Sequence, residues 1–201
     1  MKIGPRYKIC KRLGSPIFSK CETQSFQIAA ARHAANKKGR RGGSEYQKQL
    51  LEKQKLRLLY GLTEKQFSNY VKEALQNHVD PQGALFQSLE ERLDSVVYRM
   101  GLAKTRRMAR QIVSHGHVTV NGRRINVPSY HVKTTDRIAV REGSRSSILF
   151  EAMTDRLQEY KNPSWIAFDA KTLEGSLASK PVFASQDTPV DIRAVFEYYT
   201  R

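Results

Sequence analysis

Residues 105–127 read TRRMARQIVSHGHVTVNGRRINV, and the change of period inside them predicts a short helix followed by a hairpin. Met108, Ala109, Ile112 and Val113 share one helical face, while Arg106, Arg107 and Arg110 fall away from it. Thr105 is a residue type that caps helix starts with its hydroxyl, and Gly116 stands where a left-handed C-cap residue is wanted. After it, Val118 and Val120 alternate with polar positions up to Asn121-Gly122, the pair that best satisfies the two positive-φ sites of a type I′ turn. Arg123 and Arg124 open the return strand, with at least one facing solvent. Pro128 ends regular pairing, and Arg137-Ile138-Ala139-Val140 supplies a further short strand. The expected product is a small antiparallel sheet under helices, with basic groups on one side.

Upstream, Leu85, Leu89, Leu93, Val96, Val97 and Met100 line a helical face that ends at Gly101, with Ser88 or Glu91 as points where the helix can restart. The short turn 101–104 joins it to the arginine-bearing helix. Two helices so joined resemble a helix-turn-helix laid on a phosphate backbone, and the second helix start, with Lys104 and Thr105, adds free amides and a favourable dipole. Earlier still, Thr63 with Gln66 forms a capping box ahead of Phe67, Tyr70, Val71, Ala74 and Leu75 at helical spacing. Ser44 with Gln47 starts another helix that runs to about Tyr60 and stops at Gly61. There Leu50, Leu51, Leu58 and Leu59 interleave with Lys48, Lys53, Lys55 and Arg57, predicting one packed flank and one cationic rail, although such a run is usually just a solvated face. The first 43 residues read as a basic arm that ends in KKGRRGG and orders on its partner. Downstream, residues 165–168 alternate like a strand, and Ile192, Val195, Phe196 and Tyr199 line a last helix. The fold class is therefore α+β: an arm over 1–43, a helical domain over 44–90, a small basic α/β module with a short antiparallel sheet over 91–150 and a tail over 151–201 that packs back on the helical domain.

The charge of the 201 residues agrees with a polyanion partner. Lys and Arg number 35 against 19 Asp and Glu, a formal +16. It is partitioned: +12 over residues 1–60, −2 over 61–90, +8 over 91–150 and −2 over 151–201. Two separate basic surfaces suit a nucleic acid or an anionic membrane better than a uniform solubility charge would. No run approaches the roughly 20 apolar residues of a membrane span, and Lys2, Pro5 and Arg6 interrupt any signal-peptide core. Cys10 and Cys21 cannot build a disulfide framework, which fits a reducing compartment, and they lack the Cys-x-x-Cys pairing of a zinc site. His115 and His117 flank one glycine but have no third or fourth ligand at usable spacing. No phosphate loop, nucleophile elbow or His-Glu-x-x-His motif is present, so neither an enzyme nor a cofactor or metal is expected.

Longer motifs narrow the reading. Ser44-Glu45-Tyr46, residues 51–57, Tyr60-Gly61 and Gln66-Phe67 resemble the helical amino-terminal domain of the small-subunit ribosomal protein four family. Residues 91–94 and 96–99, Ala109-Arg110-Gln111, residues 114–117, Val120-Asn121-Gly122 and residues 127–130 are similar to its RNA-binding module. The resemblance runs from Gly4 to Arg201, which leaves an expectation of no separate leader and makes an organellar transit peptide the lesser alternative. It implies a primary binder of small-subunit ribosomal RNA that docks at a multi-helix junction, nucleates assembly of the subunit body and influences decoding accuracy. The implied setting is the bacterial cytoplasm, beside proteins five and twelve of the subunit and the region where messenger RNA enters. Many relatives hold zinc with four cysteines; Leu13 stands where the partner of Cys10 would be, so this chain resembles the zinc-free branch.

The candidate RNA contacts are Lys48, Lys53, Lys55 and Arg57 in the helical domain. In the module they are Lys104, Thr105, Arg106, Arg107, Arg110, Gln111, Ser114, His115, His117, Asn121, Arg123, Arg124, Ser129 and Tyr130. An RNA-modifying or tRNA-charging enzyme also carries such a module but needs a catalytic domain beside it. A standalone stress-related RNA-binding protein would not need the block from Ser44 to Phe67.

Overall fold

The computed structural model describes residues 3–35, 44–76, 79–147, 150, 157, 160–183 and 189–201. Its elements, in chain order, are α1 (Arg6–Leu13), α2 (Gln24–Ala35), α3 (Glu45–Leu59), α4 (Glu64–Leu75), α5 (Pro81–Glu90), α6 (Leu93–Arg99), α7 (Arg106–Ser114), β1 (Val118–Val120), β2 (Arg123–Arg124), β3 (Arg137–Val140), α8 (Glu142–Arg145), β4 (Ile166–Asp169), β5 (Glu174–Leu177) and α9 (Ile192–Tyr199). They form two compact units, one over residues 1–82 and 184–201, the other over 83–183. The tail expected over 151–201 is thereby divided: β4 and β5 belong to the second unit and α9 to the first.

In the helical unit, residues 3–35 differ from the expected arm. α1 and α2 flank a 3₁₀ turn at Ser19–Cys21, and Cys10, Cys21 and Phe26 form a small buried cluster against Phe18 and Ala30. The reason is short-range: Ile9, Cys10 and Leu13 share a helical face whose period is hidden by the surrounding lysines and arginines. The KKGRRGG run lies outside the described residues. α3 starts where Ser44 Oγ accepts the Gln47 amide at 3.3 Å, and α4 carries the full reciprocal capping box of Thr63 and Gln66.

α9 lies against α3, capped by the Asp191 carboxylate on the Ala194 amide. It buries Ile192, Val195 and Phe196, stacks Tyr198 on Tyr46 at 5.5 Å between ring centres and places Tyr199 beside Phe67. Gln49 also donates to the Glu197 carboxylate at 2.9 Å. All three buried α9 residues are apolar, so the joint between these distant segments rests on area removed from water, about 1.5–3 kcal/mol per fully buried large side chain.

The second unit is a five-stranded antiparallel sheet in the order β2-β1-β3-β5-β4. Its core joins Leu93, Val96, Val97 and Met100 of the α6 region and Ala109, Ile112 and Val113 of α7 to inward strand residues such as Val118, Val120, Ile138 and Leu177. The Asn121-Gly122 turn has the expected positive φ at both positions, 50° and 77°. β5 is a strand that hydrophobic alternation does not reveal. Its Gly175 lies under the neighbouring backbone, where a Cβ would come within 2.6 Å of the Ala167 carbonyl.

The helix expected over 85–100 breaks at Arg92, which adopts an extended conformation. The chain at 128–132 takes over the exposed backbone groups there. Leu93 and Asp94 donate to the carbonyls of Tyr130 and Pro128, and Val132 donates to Glu91. This non-local ladder replaces one helical turn and aims two acidic side chains into the interior.

Candidate nucleic-acid interface

Those two carboxylates organise the basic face of the second unit. Glu90, the last residue of α5, is wholly buried and accepts from Arg99 at 3.0 and 2.8 Å and from Arg106 at 2.9 Å. Arg106 also lies over the Tyr98 ring, 4.7 Å from its centre, and donates to Ser95. Asp94 accepts from Arg92 at 3.1 and 2.9 Å and from Arg110 at 2.9 and 2.8 Å. Arg99 and Arg92 each fork onto both oxygens of their carboxylate, the strongest contact available to a guanidinium, whereas Arg106 meets one oxygen of Glu90 and Arg110 one oxygen of Asp94. Arg106 and Arg110 therefore run inward from α7 toward carboxylates, with side-chain exposures of 14% and 30%.

The outward row of α7 is a different set. Lys104, Arg107, Gln111, Ser114 and His115 are exposed; Arg107, Gln111 and Ser114 fall at i, i+4 and i+7, a single stripe along the helix, and Lys104 lies just ahead of the Thr105 cap. Thr105 caps the helix by accepting the Met108 amide at 3.2 Å. The first turn of α7 contains no acidic residue, so the helix start is electropositive from its own dipole as well as its side chains.

At the other end of α7 the hairpin folds back. Arg124 donates to the His115 carbonyl at 2.9 Å, placing a cation at the negative end of the helix dipole. Gly116 makes room for it: φ is +71°, and a Cβ there would meet Arg124 Nε at 2.1 Å. Arg123 and Ser129 are exposed.

Two polar candidates in the hairpin region hold the backbone. Asn121 donates its amide to Asp136 at 2.8 Å and accepts the Arg137 backbone N–H at 2.9 Å. Tyr130 donates to the same Asp136 at 3.3 Å, which also accepts the Lys133 amide. Burial, then the Asp136 charge, pushes the Tyr130 phenol above its ordinary pKa. His117 is half-buried, with Nδ1 3.0 Å from Ser144 Oγ. Its pKa is lowered, first by burial, then by the charges of His115, Arg141 and Arg124. Lys133 is an exposed cation in the loop before β3 that sequence pattern missed, because a lone lysine between Val132 and Thr134 has no motif.

The α3 rail is largely consumed within its own unit. Lys48 is exposed. Lys53 is 8% exposed, bonds Glu64 at 2.5 Å and lies 4.4 Å from the ring centre of Tyr198, a cation–π contact. Lys55 pairs with Glu52 at 2.5 Å, and Arg57 Nε is 3.6 Å from Glu64. Partial burial is the largest influence on Glu64 and pushes its pKa up. Hydrogen bonds from Lys53 and Tyr199 and the charges of Lys53 and Arg57 together outweigh it, leaving the carboxyl below its ordinary value.

Cys10 and Cys21 are buried free thiols. Cys21 is pushed up to about 12 by burial and by its hydrogen bond and charge coupling to Cys10, so it stays a thiol at neutral pH, whereas a metal ligand is a thiolate. Among the described residues no group of three His, Cys, Asp or Glu is placed to hold a metal, and no helix is long and apolar enough to cross a membrane.

Comparison with known proteins adds two family matches: the S4 domain over residues 91–138 and the ribosomal protein S4/S9 N-terminal domain over residues 1–93. The chain is 40% identical to the small ribosomal subunit protein uS4 of Latilactobacillus sakei across 98% of both chains. It is 39% identical to that of Acetivibrio thermocellus, also across 98% of each, and 38% identical to that of Endomicrobium trichonymphae across 99% of this chain and 98% of the other.

Proposed function

Because the chain belongs to the family of small ribosomal subunit protein uS4, we propose that it is a structural, non-enzymatic constituent of the small ribosomal subunit and binds that subunit's RNA. The observation that carries the reading is the stripe Lys104, Arg107, Gln111 and Ser114, continued by His115 and Arg123, all exposed while the carboxylates Glu90 and Asp94 are withdrawn inside. Cations and hydrogen-bond donors set on a rigid helix suit phosphates and 2′-hydroxyls of folded RNA, which proteins recognise by shape more than by base edges. Lys48 and the basic residues of 1–43 supply a second cationic surface.

On this reading the protein docks early at a multi-helix junction and nucleates assembly of the subunit body. Its neighbours are proteins five and twelve and the region where messenger RNA enters, where it contributes to decoding accuracy in the bacterial cytoplasm. Support for these finer roles is the motif resemblance along the whole chain. Carriage of the module by an RNA-modifying enzyme fits less well, since the relatives match the helical unit and tail as fully as the module.

The test is sedimentation with small subunits, followed by filter binding to a small-subunit rRNA transcript. The protein should travel stoichiometrically with the subunit in moderate salt. If about 8 phosphates are neutralised, log affinity falls against log salt with a slope of roughly −5 to −7, and Lys104→Gln with Arg107→Gln reduces the slope by about 1.5. Failure to co-sediment, or a slope shallower than about −2, counts against the reading.

A further inference from the structure

Glu90 and Asp94 pose a problem for a polyanion binder, because each subtracts a unit of positive charge from the basic face and each has been removed from water at considerable cost. Their geometry supplies the reason. Glu90 at the end of α5 ties Arg99 of α6 to Arg106 of α7, and Asp94 of α6 ties Arg92, at the break before α6, to Arg110 of α7. Arg106 and Arg110 are one helical turn apart, so α7 is fastened at two points along one side. A quarter turn round the helix from them, and opposite the buried Ala109, Ile112 and Val113, lies the stripe of Arg107, Gln111 and Ser114, with Lys104 just ahead of the Thr105 cap.

We propose that Glu90 and Asp94 are positioning residues for RNA recognition: by gripping α7 through Arg106 and Arg110 they fix the rotation and register in which the outer stripe meets the RNA. This rests on the functional reading above and deepens it. Apolar residues of similar volume would hold three helices together as well or better. The forks of Arg99 on Glu90 and of Arg92 on Asp94 fix the angle of each carboxylate, which apolar contact would not do, and Arg106 and Arg110 of α7 reach those oriented oxygens.

The signature is a pair of affinities that move in opposite directions. Glu90→Gln and Asp94→Asn each raise the net charge by one. Positioning predicts that binding to a small-subunit rRNA transcript weakens tenfold or more, while binding to an unrelated RNA duplex of equal length is unchanged or tightens. If both affinities tighten together, or rRNA affinity is unchanged, the carboxylates merely dilute charge and the proposal fails. Near-UV circular dichroism reports folding of each variant. Glu90→Asp, which keeps the charge and shortens the arm by one carbon, decides the matter where the amides do not fold: weaker rRNA binding with unchanged duplex binding supports positioning, and no change in either overturns it. A wild-type protein that does not distinguish the two RNAs overturns the functional reading and the positioning role with it, an outcome separate from failure of the variants.

Discussion

In the helical unit the polar contacts that hold α3 reach across the chain, with Gln49 meeting Glu197 at a separation of 148 positions and Asp191 meeting Glu52 at 139. In the sheet unit the decisive ion pairs are near neighbours: Arg106 meets Glu90 and Arg110 meets Asp94, both 16 positions away. Each unit contains a helix that looks like a cationic rail in sequence, α3 in one and α7 in the other, and each turns part of that rail inward. The difference lies in the neutralising groups. The cations of α3 are met by Glu52 of the same helix, by Glu64 of α4 and by the Tyr198 ring of α9, whereas the inward arginines of α7 are matched to carboxylates of the two preceding helices. Basic composition is thus an unreliable guide to a contact surface until the acids have been located.

That contrast can be broken most severely by removing the distant half of the first unit. Deletion from Val190 strips Val190, Ile192, Val195 and Phe196 from their packing, which at about 1.5–3 kcal/mol each exceeds half the stability of an ordinary domain. The expected outcome is loss of cooperative unfolding in the helical unit by calorimetry with the sheet unit's transition retained. Two retained transitions would show that α9 is dispensable.

A local break comes next. In Arg106→Glu with Arg110→Glu, two new carboxylates face Glu90 and Asp94, and disrupting each pair costs about 3–5 kcal/mol, less than additively. The sheet unit should unfold, so lost RNA binding in that double variant would not identify a contact. Arg107→Glu on the outer stripe should leave the melting temperature within about 4 °C of wild type, since exposed substitutions stay within roughly 0.5 kcal/mol, yet weaken RNA binding.

Gly116→Ala is milder. The left-handed backbone costs an alanine about 1–2 kcal/mol, and the displaced Arg124 forfeits a hydrogen bond worth about 1 kcal/mol, for a fall in melting temperature of roughly 8–20 °C. A variant that melts with wild type would show that the hairpin does not close on α7.

The smallest effect separates the units by acid. His117 has a folded pKa below its ordinary 6.5, so the unfolded chain binds the proton first. Its stabilising contribution is complete above pH 6.5 and declines as pH falls from there through the folded value. Glu64 has a folded pKa below its ordinary 4.5, so its contribution persists above pH 4.5 and is lost as pH falls through the folded value. Denaturant midpoints followed from pH 7.5 to 5 should move in the sheet unit before the helical unit, and His117→Gln should remove the early component.

The local half of this protein was legible in advance. Caps at Ser44, Thr63 and Thr105, the α7 period, the Asn121-Gly122 turn, the strand near Trp165 and the last helix are set by contacts within a few residues, and pattern reads those. The outward position of Arg107 on α7 was legible too, although it was grouped with Arg106 and Arg110, which face the interior. Glu90 and Asp94 were not singled out because an acid among arginines has no periodicity of its own.

Amino-acid order by itself determined the types of most elements from Ser44 onward, the two basic segments and, through long ordered motifs, the family. Tertiary structure alone decided which cations remain outside. Burial of a charge is governed by whether a partner arrives in space, and neither the carboxylates aimed inward by the break at Arg92 nor the tyrosines brought to Lys53 by α9 could be placed before the chain had folded.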